Sequence, residues 1–230
     1  MNTASQILIL IPAYNEGEVV KDVVNQARQY LPVLVVNDGS TDKTAEYAAQ
    51  AGATVINQQP NQGKGAALKA GFKWALSEGY QAVITVDADG QHDPTEIPDF
   101  LDSYKEQPAA MIIGERDFSK MPFSRRLANT LGGWAFSWAL GEKVNDNQSG
   151  FRLISKSLME EMLENQEEGF ELEVEMFVSC AKLNWQVTSV PIRTIYGDEK
   201  SHISPLKHVA NFWRVVQHTR QRMKNFNKNC

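Results

Sequence analysis

The first half of the chain alternates short apolar runs with segments of helical spacing, and this alternation restricts the possible folds most strongly. Runs rich in β-branched and aliphatic residues predict four strands, at 7–11, 33–36, 54–56 and 83–86. Between them, helical spacing or helix-start residues predict helices over 16–30, from about residue 40, and over 61–78. This strict alternation predicts an α/β fold with a mostly parallel, doubly wound sheet flanked by helices.

The second half is less regular. Pro94 and Pro98 are placed to open a helix, and the run at 109–114 predicts another strand. The remaining elements that we expect are helices at 125–140, 171–183 and 206–223, and strands at 151–155 and 186–191, the last at a sheet edge. A length of 230 residues fits a single domain with an appendage. We place this domain at 1–205 and a basic amphipathic helix or tail at 206–230.

Composition indicates an ordinary globular protein in a reducing compartment. The hydrophobic content is 42% and the charged content 22%. Cys180 and Cys230 are the two cysteines, which form no disulfide framework and no metal-thiolate spacing. The chain enters its first strand without a basic leader, and no uninterrupted apolar stretch reaches the length of a membrane span. We therefore expect a cytoplasmic protein without a signal peptide or a spanning helix.

The C-terminal segment is basic although the whole chain has a net charge of −5. Residues 201–230 contain six lysines and arginines and no acidic residue. Such a segment suggests an anionic partner such as a membrane lipid, a polyprenyl phosphate or a nucleic acid, or it only adds solubility. Leu206, Val209, Trp213 and Val216 give it an apolar stripe, which suits a helix at a membrane surface or one packed on the domain. The helix at 134–140 offers a second apolar contact.

The segment 83–93 carries the clearest chemical signal. A buried-type strand ends there in Asp87 and Asp89, whose side chains point to the same side of an extended backbone. Carboxylate oxygens at a strand end can bind Mg²⁺ or Mn²⁺, which in turn neutralises a diphosphate. The alternative is a solvated turn with an Asx cap, and the neighbouring Gln91 and the rest of the chain favour the metal site.

Three other loops between strands and helices could hold a nucleotide. Tyr14 and Glu16 offer a ring for stacking on a base and a carboxylate for a ribose or base edge. Asp38 could accept hydrogen bonds from a base or ribose, or could cap the following helix. Lys64 lies between two glycines, which permit close approach of a nucleotide although the segment is not a P-loop.

These motifs, in their order and spacing, resemble glycosyltransferase family 2, whose enzymes have the GT-A fold. The motifs are Ile-Pro-Ala-Tyr-Asn-Glu (11–16), Val-Asn-Asp-Gly-Ser-Thr-Asp (36–42), Asn-Gln-Gly-Lys-Gly (61–65) and Asp-Ala-Asp-Gly-Gln-His (87–92). A fifth, Asp-Asn-Gln-Ser-Gly-Phe-Arg (146–152), is similar to the branch of dolichyl-phosphate mannosyltransferase and bacterial polyprenyl-phosphate glycosyltransferases. The resemblance covers about residues 6–205, and Asn37 departs from it because relatives often have Asp there.

The resemblance implies a role for individual residues. It places the nucleotide against Pro12, Tyr14, Glu16, Asp38, Lys64 and Asp87, and the metal ion, Mg²⁺ or Mn²⁺, on Asp87, Asp89 and Gln91. It places the acceptor phosphate against Arg116, Arg126, Arg152, Lys200 and Ser201, the last two in a mobile loop that closes on substrate. The residues expected to act in catalysis are Asp89, Arg116, Asp146 and Arg152. Asp146 is a base if the acceptor is a hydroxyl, or it orients Arg152.

The resulting hypothesis is an inverting, metal-dependent transfer of a hexose from a nucleotide diphosphate sugar to a polyprenyl phosphate. The donor, GDP-mannose or UDP-glucose, is not distinguished by the sequence. The enzyme is expected to be peripheral at the cytoplasmic face of a membrane, with a possible membrane-embedded partner subunit and no nucleic-acid partner. The alternatives are a family 2 enzyme that glycosylates a sugar or protein hydroxyl, and an inactive protein that binds nucleotide sugars.

Overall fold

A mixed seven-stranded sheet forms the centre of the protein in a computed structural model, which describes residues 6–118, 123–165, 171–193 and 205–229. Its strands are β1 (Ile7–Ala13), β2 (Val33–Asp38), β3 (Thr54–Gln58), β4 (Ala82–Thr85), β5 (Met111–Arg116), β6 (Arg152–Ser155) and β7 (Val187–Ile192). They lie in the order β3-β2-β1-β4-β6-β5-β7. All neighbouring strands are parallel except β6, which is antiparallel to both β4 and β5.

Helices cover both faces of this sheet. They are α1 (Val19–Ala27), α2 (Thr44–Gln50), α3 (Lys64–Ser77), α4 (Ile97–Glu106), α5 (Phe123–Leu140), α6 (Lys156–Glu164), α7 (Glu171–Lys182) and α8 (Pro205–Asn229). Alternate residues of β1 point to opposite faces, so that Ile9 packs in one apolar cluster and Leu8 and Leu10 in the other. Burial on both faces explains why the parallel strands are continuous apolar runs.

The predicted fold is confirmed, with differences at the ends of elements. The first helix begins only at Val19 because Asn15 and Gly17 both have φ of +56°, outside the helical region. The second begins at Thr44 rather than near residue 40. The helix α6 was not predicted from the sequence. The predicted edge strand is β7, which pairs with β5 alone.

The antiparallel strand β6 brings a distant segment to the carboxyl end of β4. Because β4 and β6 run in opposite directions, Thr85 at the end of β4 faces Arg152 at the start of β6. The Thr85 hydroxyl Oγ1 donates a hydrogen bond to the carbonyl oxygen of Gly150 at 2.7 Å. The segment 146–152 therefore lies beside Asp87, which follows β4.

The C-terminal helix α8 packs against α5 and α7. Val216 is fully buried with Ala135 and Ala139 of α5, so at Val216 the apolar stripe packs on the domain, which was the second of the two alternatives. Trp213 is exposed, and the side chains of residues 206 and 209 lie outside those described. The division into 1–205 and 206–230 stays a prediction. Among the described helices, none combines the length and the apolar character needed to cross a membrane.

Candidate active site

A cleft of about 460 Å³ opens at the carboxyl ends of β1, β2 and β4, beside the first turn of α3. This is where the strand order reverses between β1 and β4, the usual place for a ligand in an open α/β sheet. The cleft brings together all six residues predicted to bind the nucleotide, and Asp89. These are Pro12, Tyr14, Glu16, Asp38, Lys64 and Asp87.

The loops after β1 and β2 form one wall of the cleft and hold each other in place. The side-chain oxygen of Asn15 accepts a hydrogen bond from the backbone amide of Thr41 at 2.8 Å. The backbone amide of Asn15 donates a hydrogen bond to the Ser40 hydroxyl at 2.9 Å. Asp42 accepts from the Gly17 amide at 3.0 Å. Several polar residues of the two motifs thus shape the wall, which leaves Tyr14 half exposed at its edge.

Asp38 organises the loop that carries Lys64. Its two carboxylate oxygens accept hydrogen bonds from the backbone amides of Gln62, at 2.9 Å, and Gly63, at 2.7 Å. The two loops touch so closely that a Cβ on Gly39, whose φ is +74°, would lie 2.6 Å from the Asn61 nitrogen. The sequence suggested that Asp38 binds a base or caps a helix; in the structure its carboxylate lines the cleft and joins two backbone loops.

Lys64 and Asp87 form the electrostatic centre of the cleft. The Lys64 ammonium lies 2.7 Å from Asp87 Oδ1 and 3.2 Å from Glu173 Oε1, and His92 Nε2 lies 3.3 Å from Asp87 Oδ2. Burial alone would raise the pKa of Asp87, but Lys64 and His92 hold it well below its usual range. Burial alone would lower the pKa of Lys64, but the two carboxylates raise it above its usual value. Both groups are therefore charged at neutral pH.

The three residues predicted to hold a metal ion lie on one short loop after β4. Asp89 Oδ1 accepts a hydrogen bond from the backbone amide of Gln91 at 2.9 Å, and this bond keeps the loop compact. A Cβ on Gly150 would lie 2.4 Å from Asp87 Oδ2, so only glycine leaves room for the carboxylate in its present position. Carboxylate and amide oxygens suit Mg²⁺ or Mn²⁺. Within the described ranges, no three His, Cys, Asp or Glu side chains are grouped so that they could hold a metal ion by themselves.

Arg116 and Asp146 form a bidentate ion pair beside a larger depression. Arg116 Nε lies 2.7 Å from Asp146 Oδ2, and Nη2 lies 2.9 Å from Oδ1. The depression has a volume of about 1180 Å³, and Arg116, Arg126, Trp134 and Trp138 are among the residues that line it. The sequence suggested that Asp146 acts as a base or orients Arg152; the structure shows it orienting Arg116.

Arg152 does not face either opening, in contrast to its predicted place at a phosphate. Its side chain is fully buried, and its guanidinium donates hydrogen bonds to the carbonyl oxygens of Ser149, Glu173 and Asn147 at 2.7, 2.8 and 3.1 Å. It also lies over the ring of Phe177. These contacts join β6 to α7, and they give Arg152 a structural role in shaping the site.

Two residues of the site were not predicted, and two predicted residues lie outside the described chain. Glu173 was missed because an acidic residue in a helix usually faces solvent. His92 directly follows the three residues predicted to bind the metal ion, and this position in the sequence was a signal for its proximity. Lys200 and Ser201, predicted to hold the acceptor phosphate, fall in the range 194–204, which the structure does not describe.

Comparison with known proteins identifies related sequences and folds. The sequence model for glycosyl transferase family 2 matches residues 8–163. A UDP-N-acetylglucosamine–dolichyl-phosphate N-acetylglucosaminyltransferase of Methanococcus voltae is 31% identical over 218 residues, covering 84% of this chain and 86% of that protein. An undecaprenyl-phosphate mannosyltransferase of Micrococcus luteus is 30% identical over 202 residues, covering 81% and 82%.

The fold is also similar to a solved structure. Glucosyl-3-phosphoglycerate synthase of Mycobacterium tuberculosis, in complex with Mn²⁺, uridine-diphosphate-glucose and phosphoglyceric acid, superposes with a TM-score of 0.71. The similarity covers 94% of this chain and 78% of that one, at 18% sequence identity. At this identity the similarity concerns the fold.

Proposed function

The chain belongs to glycosyltransferase family 2, and from this membership we propose that it transfers a hexose from a nucleotide diphosphate sugar, with inversion, to a polyprenyl phosphate. The observation that carries the proposal is the single cleft in which the six nucleotide-binding candidates meet the carboxylates that follow β4. Such an arrangement is suited to binding a base and a diphosphate at the same time.

At the donor site, different residues would bind the metal ion, the base and the diphosphate. Asp87, Asp89 and Gln91 would hold Mg²⁺ or Mn²⁺, which offsets the charge developing on the nucleoside diphosphate as it leaves. Tyr14, which lines the cleft, would stack on the base. The positive end of the α3 dipole, where Lys64 lies, favours the negative charge of the diphosphate.

The larger depression supports a lipid phosphate as the acceptor. Arg116 and Arg126 line it together with the exposed rings of Trp134 and Trp138, so that cationic and apolar groups share one surface. An acceptor phosphate is already ionised near pH 7, so no strong general base is needed. Asp146, buried against Arg116, would then position that guanidinium for the phosphate.

The names of relatives agree with this acceptor and this cofactor. The Methanococcus voltae and Micrococcus luteus proteins are named for transfer to dolichyl phosphate and undecaprenyl phosphate. The Mycobacterium tuberculosis structure contains Mn²⁺ with a UDP-sugar.

A transfer assay with a panel of donors tests this proposal. The purified protein is incubated with GDP-mannose, UDP-glucose or UDP-N-acetylglucosamine, a short-chain polyprenyl phosphate, and Mg²⁺ or Mn²⁺. We expect one donor to give a metal-dependent lipid product. Transfer to a sugar or protein hydroxyl instead would support a different family 2 acceptor. Nucleotide binding without turnover, also after addition of a membrane fraction that supplies any partner subunit, would support an inactive binding protein.

We propose further that the protein acts at the cytoplasmic face of a membrane through α5. Leu131, Trp134 and Trp138 lie on one face of this helix, and Trp134 is 72% exposed. Exposed tryptophans beside basic groups suit the interface of an anionic bilayer. Replacing Leu131 and Trp134 by serine should reduce co-sedimentation with anionic vesicles, whereas Leu183→Ser, at another exposed leucine, should not. Equal binding by both variants would contradict this surface.

A further inference from the structure

Lys64 is shared between two carboxylates that belong to different parts of the fold. We propose that Lys64 is an internal counter-ion of Asp87 which a divalent cation displaces, and that Glu173 is the positioning residue that keeps the displaced ammonium in the cleft for the diphosphate. The inference rests on the proposed function, because it assumes that Asp87 binds the metal ion.

The charges make the two cations compete for Asp87. The ammonium of Lys64 lies 2.7 Å from Asp87 Oδ1, and Mg²⁺ binds carboxylate oxygens at about 2.1 Å. A metal ion on the same oxygen would stand within about 5 Å of the ammonium, where the repulsion between charges of +2 and +1 is strong. Binding of the ion at Asp87 therefore drives Lys64 away from this carboxylate.

Glu173 determines where Lys64 goes. Its side chain is 6% exposed, and its Oε1 atom lies 3.2 Å from the ammonium. The backbone of Glu173 is fixed because its carbonyl oxygen accepts a hydrogen bond from the buried Arg152 at 2.8 Å. A buried carboxylate keeps a cation close, so Lys64 stays in the cleft that it lines when Asp87 is lost as a partner.

The backbone at Lys64 is also fixed, so the exchange requires movement of one side chain only. Lys64 is the first residue of α3, and the preceding residue, Gly63, is held by Asp38 at 2.7 Å. A diphosphate whose oxygens accept hydrogen bonds from the freed ammonium of Lys64 favours metal binding at Asp87. The metal ion then favours diphosphate binding by the same factor. Lys64 thereby couples the two ligands, and Glu173 supports the coupling.

Isothermal titration of Mn²⁺ into the protein, alone and with GDP or UDP, tests this exchange. Lys64→Met should bind Mn²⁺ alone more tightly than the unchanged protein, by about fivefold or more, because no ammonium competes for Asp87. It should also lose most of the increase in Mn²⁺ affinity that the nucleotide produces. Lys73→Met removes the same charge from an exposed position of α3 and should change neither quantity.

Glu173→Gln tests the positioning role, since the amide keeps the size and an acceptor oxygen but not the charge. We expect weaker Mn²⁺ binding and a smaller nucleotide effect. In the Lys64→Met background no ammonium remains for Glu173 to hold, so there Glu173→Gln should not reduce the nucleotide effect further. Thermal unfolding followed by circular dichroism shows that each variant is folded.

Two results would contradict the exchange of partners by Lys64, and a third would also contradict the proposed function. Mn²⁺ affinity that is unchanged or weaker in Lys64→Met contradicts the competition at Asp87. A nucleotide effect that survives in full in Glu173→Gln contradicts the role of Glu173. If the unchanged protein binds neither Mn²⁺ nor nucleotide, the proposed function itself fails together with the exchange.

Discussion

Replacing Gly150 by alanine gives the sharpest test of the site geometry. The φ of Gly150 is not positive, so alanine is compatible with its backbone, but the new Cβ would lie 2.4 Å from Asp87 Oδ2. Ordinary van der Waals contact begins at 3.4 Å, so the carboxylate must move by about 1 Å. A displacement of this size at a reacting centre can lower the rate about 100-fold, which corresponds to about 2.7 kcal/mol of barrier.

The fold should tolerate the same change, because the displaced group is the end of a side chain rather than core or backbone. We expect a melting temperature close to that of the unchanged protein and a loss of about 100-fold in kcat/KM for sugar transfer. Gly71→Ala is the matched control, since its Cβ would lie 2.3 Å from Leu10 Cδ1 in the core. That variant should lose about 1–3 kcal/mol of stability and keep its activity per folded molecule. Gly150→Ala with activity within about threefold of normal would refute the assigned position of Asp87 in the chemistry.

Three further predictions concern single side chains. Asp89→Ala should lower Mn²⁺-dependent transfer by far more than tenfold, about 1.4 kcal/mol of barrier, without changing the circular dichroism spectrum; a smaller loss contradicts its metal-binding role. Arg116→Ala leaves the buried carboxylate of Asp146 without its bidentate partner and should cost about 3–5 kcal/mol in urea denaturation, whereas a cost below about 1 kcal/mol would be that of an exposed pair. Burial raises the pKa of the Cys180 thiol to about 12. In a Cys230→Ser background, a thiol reagent at pH 8 should therefore label Cys180 only after unfolding, and rapid labelling of the native protein would contradict its burial.

The sequence by itself determined the fold class and the place of the cleft at the carboxyl ends of β1, β2 and β4. Apolar runs such as Val83–Val86 bury on both faces of a sheet, and the loops that follow parallel strands must meet at one edge. Asp87, Lys64 and Tyr14 therefore come together for reasons that the local pattern already contains. The resemblance to glycosyltransferase family 2 rested on these same loops, and the match of the family over residues 8–163 confirms it.

The tertiary structure alone decided which charged groups are partners. The family resemblance places both Arg152 and Arg116 at the acceptor phosphate. In the structure Arg152 is buried against carbonyl oxygens, whereas Arg116 lines the larger depression in an ion pair with Asp146. Glu173 belongs to a helix far along the chain, and only the packing of α7 against α3 brings it to Lys64. Such pairings depend on the three-dimensional path of the chain and on which side chains lose their contact with water. A local sequence pattern contains neither, because residues that are distant in sequence compete as partners for the same buried charge.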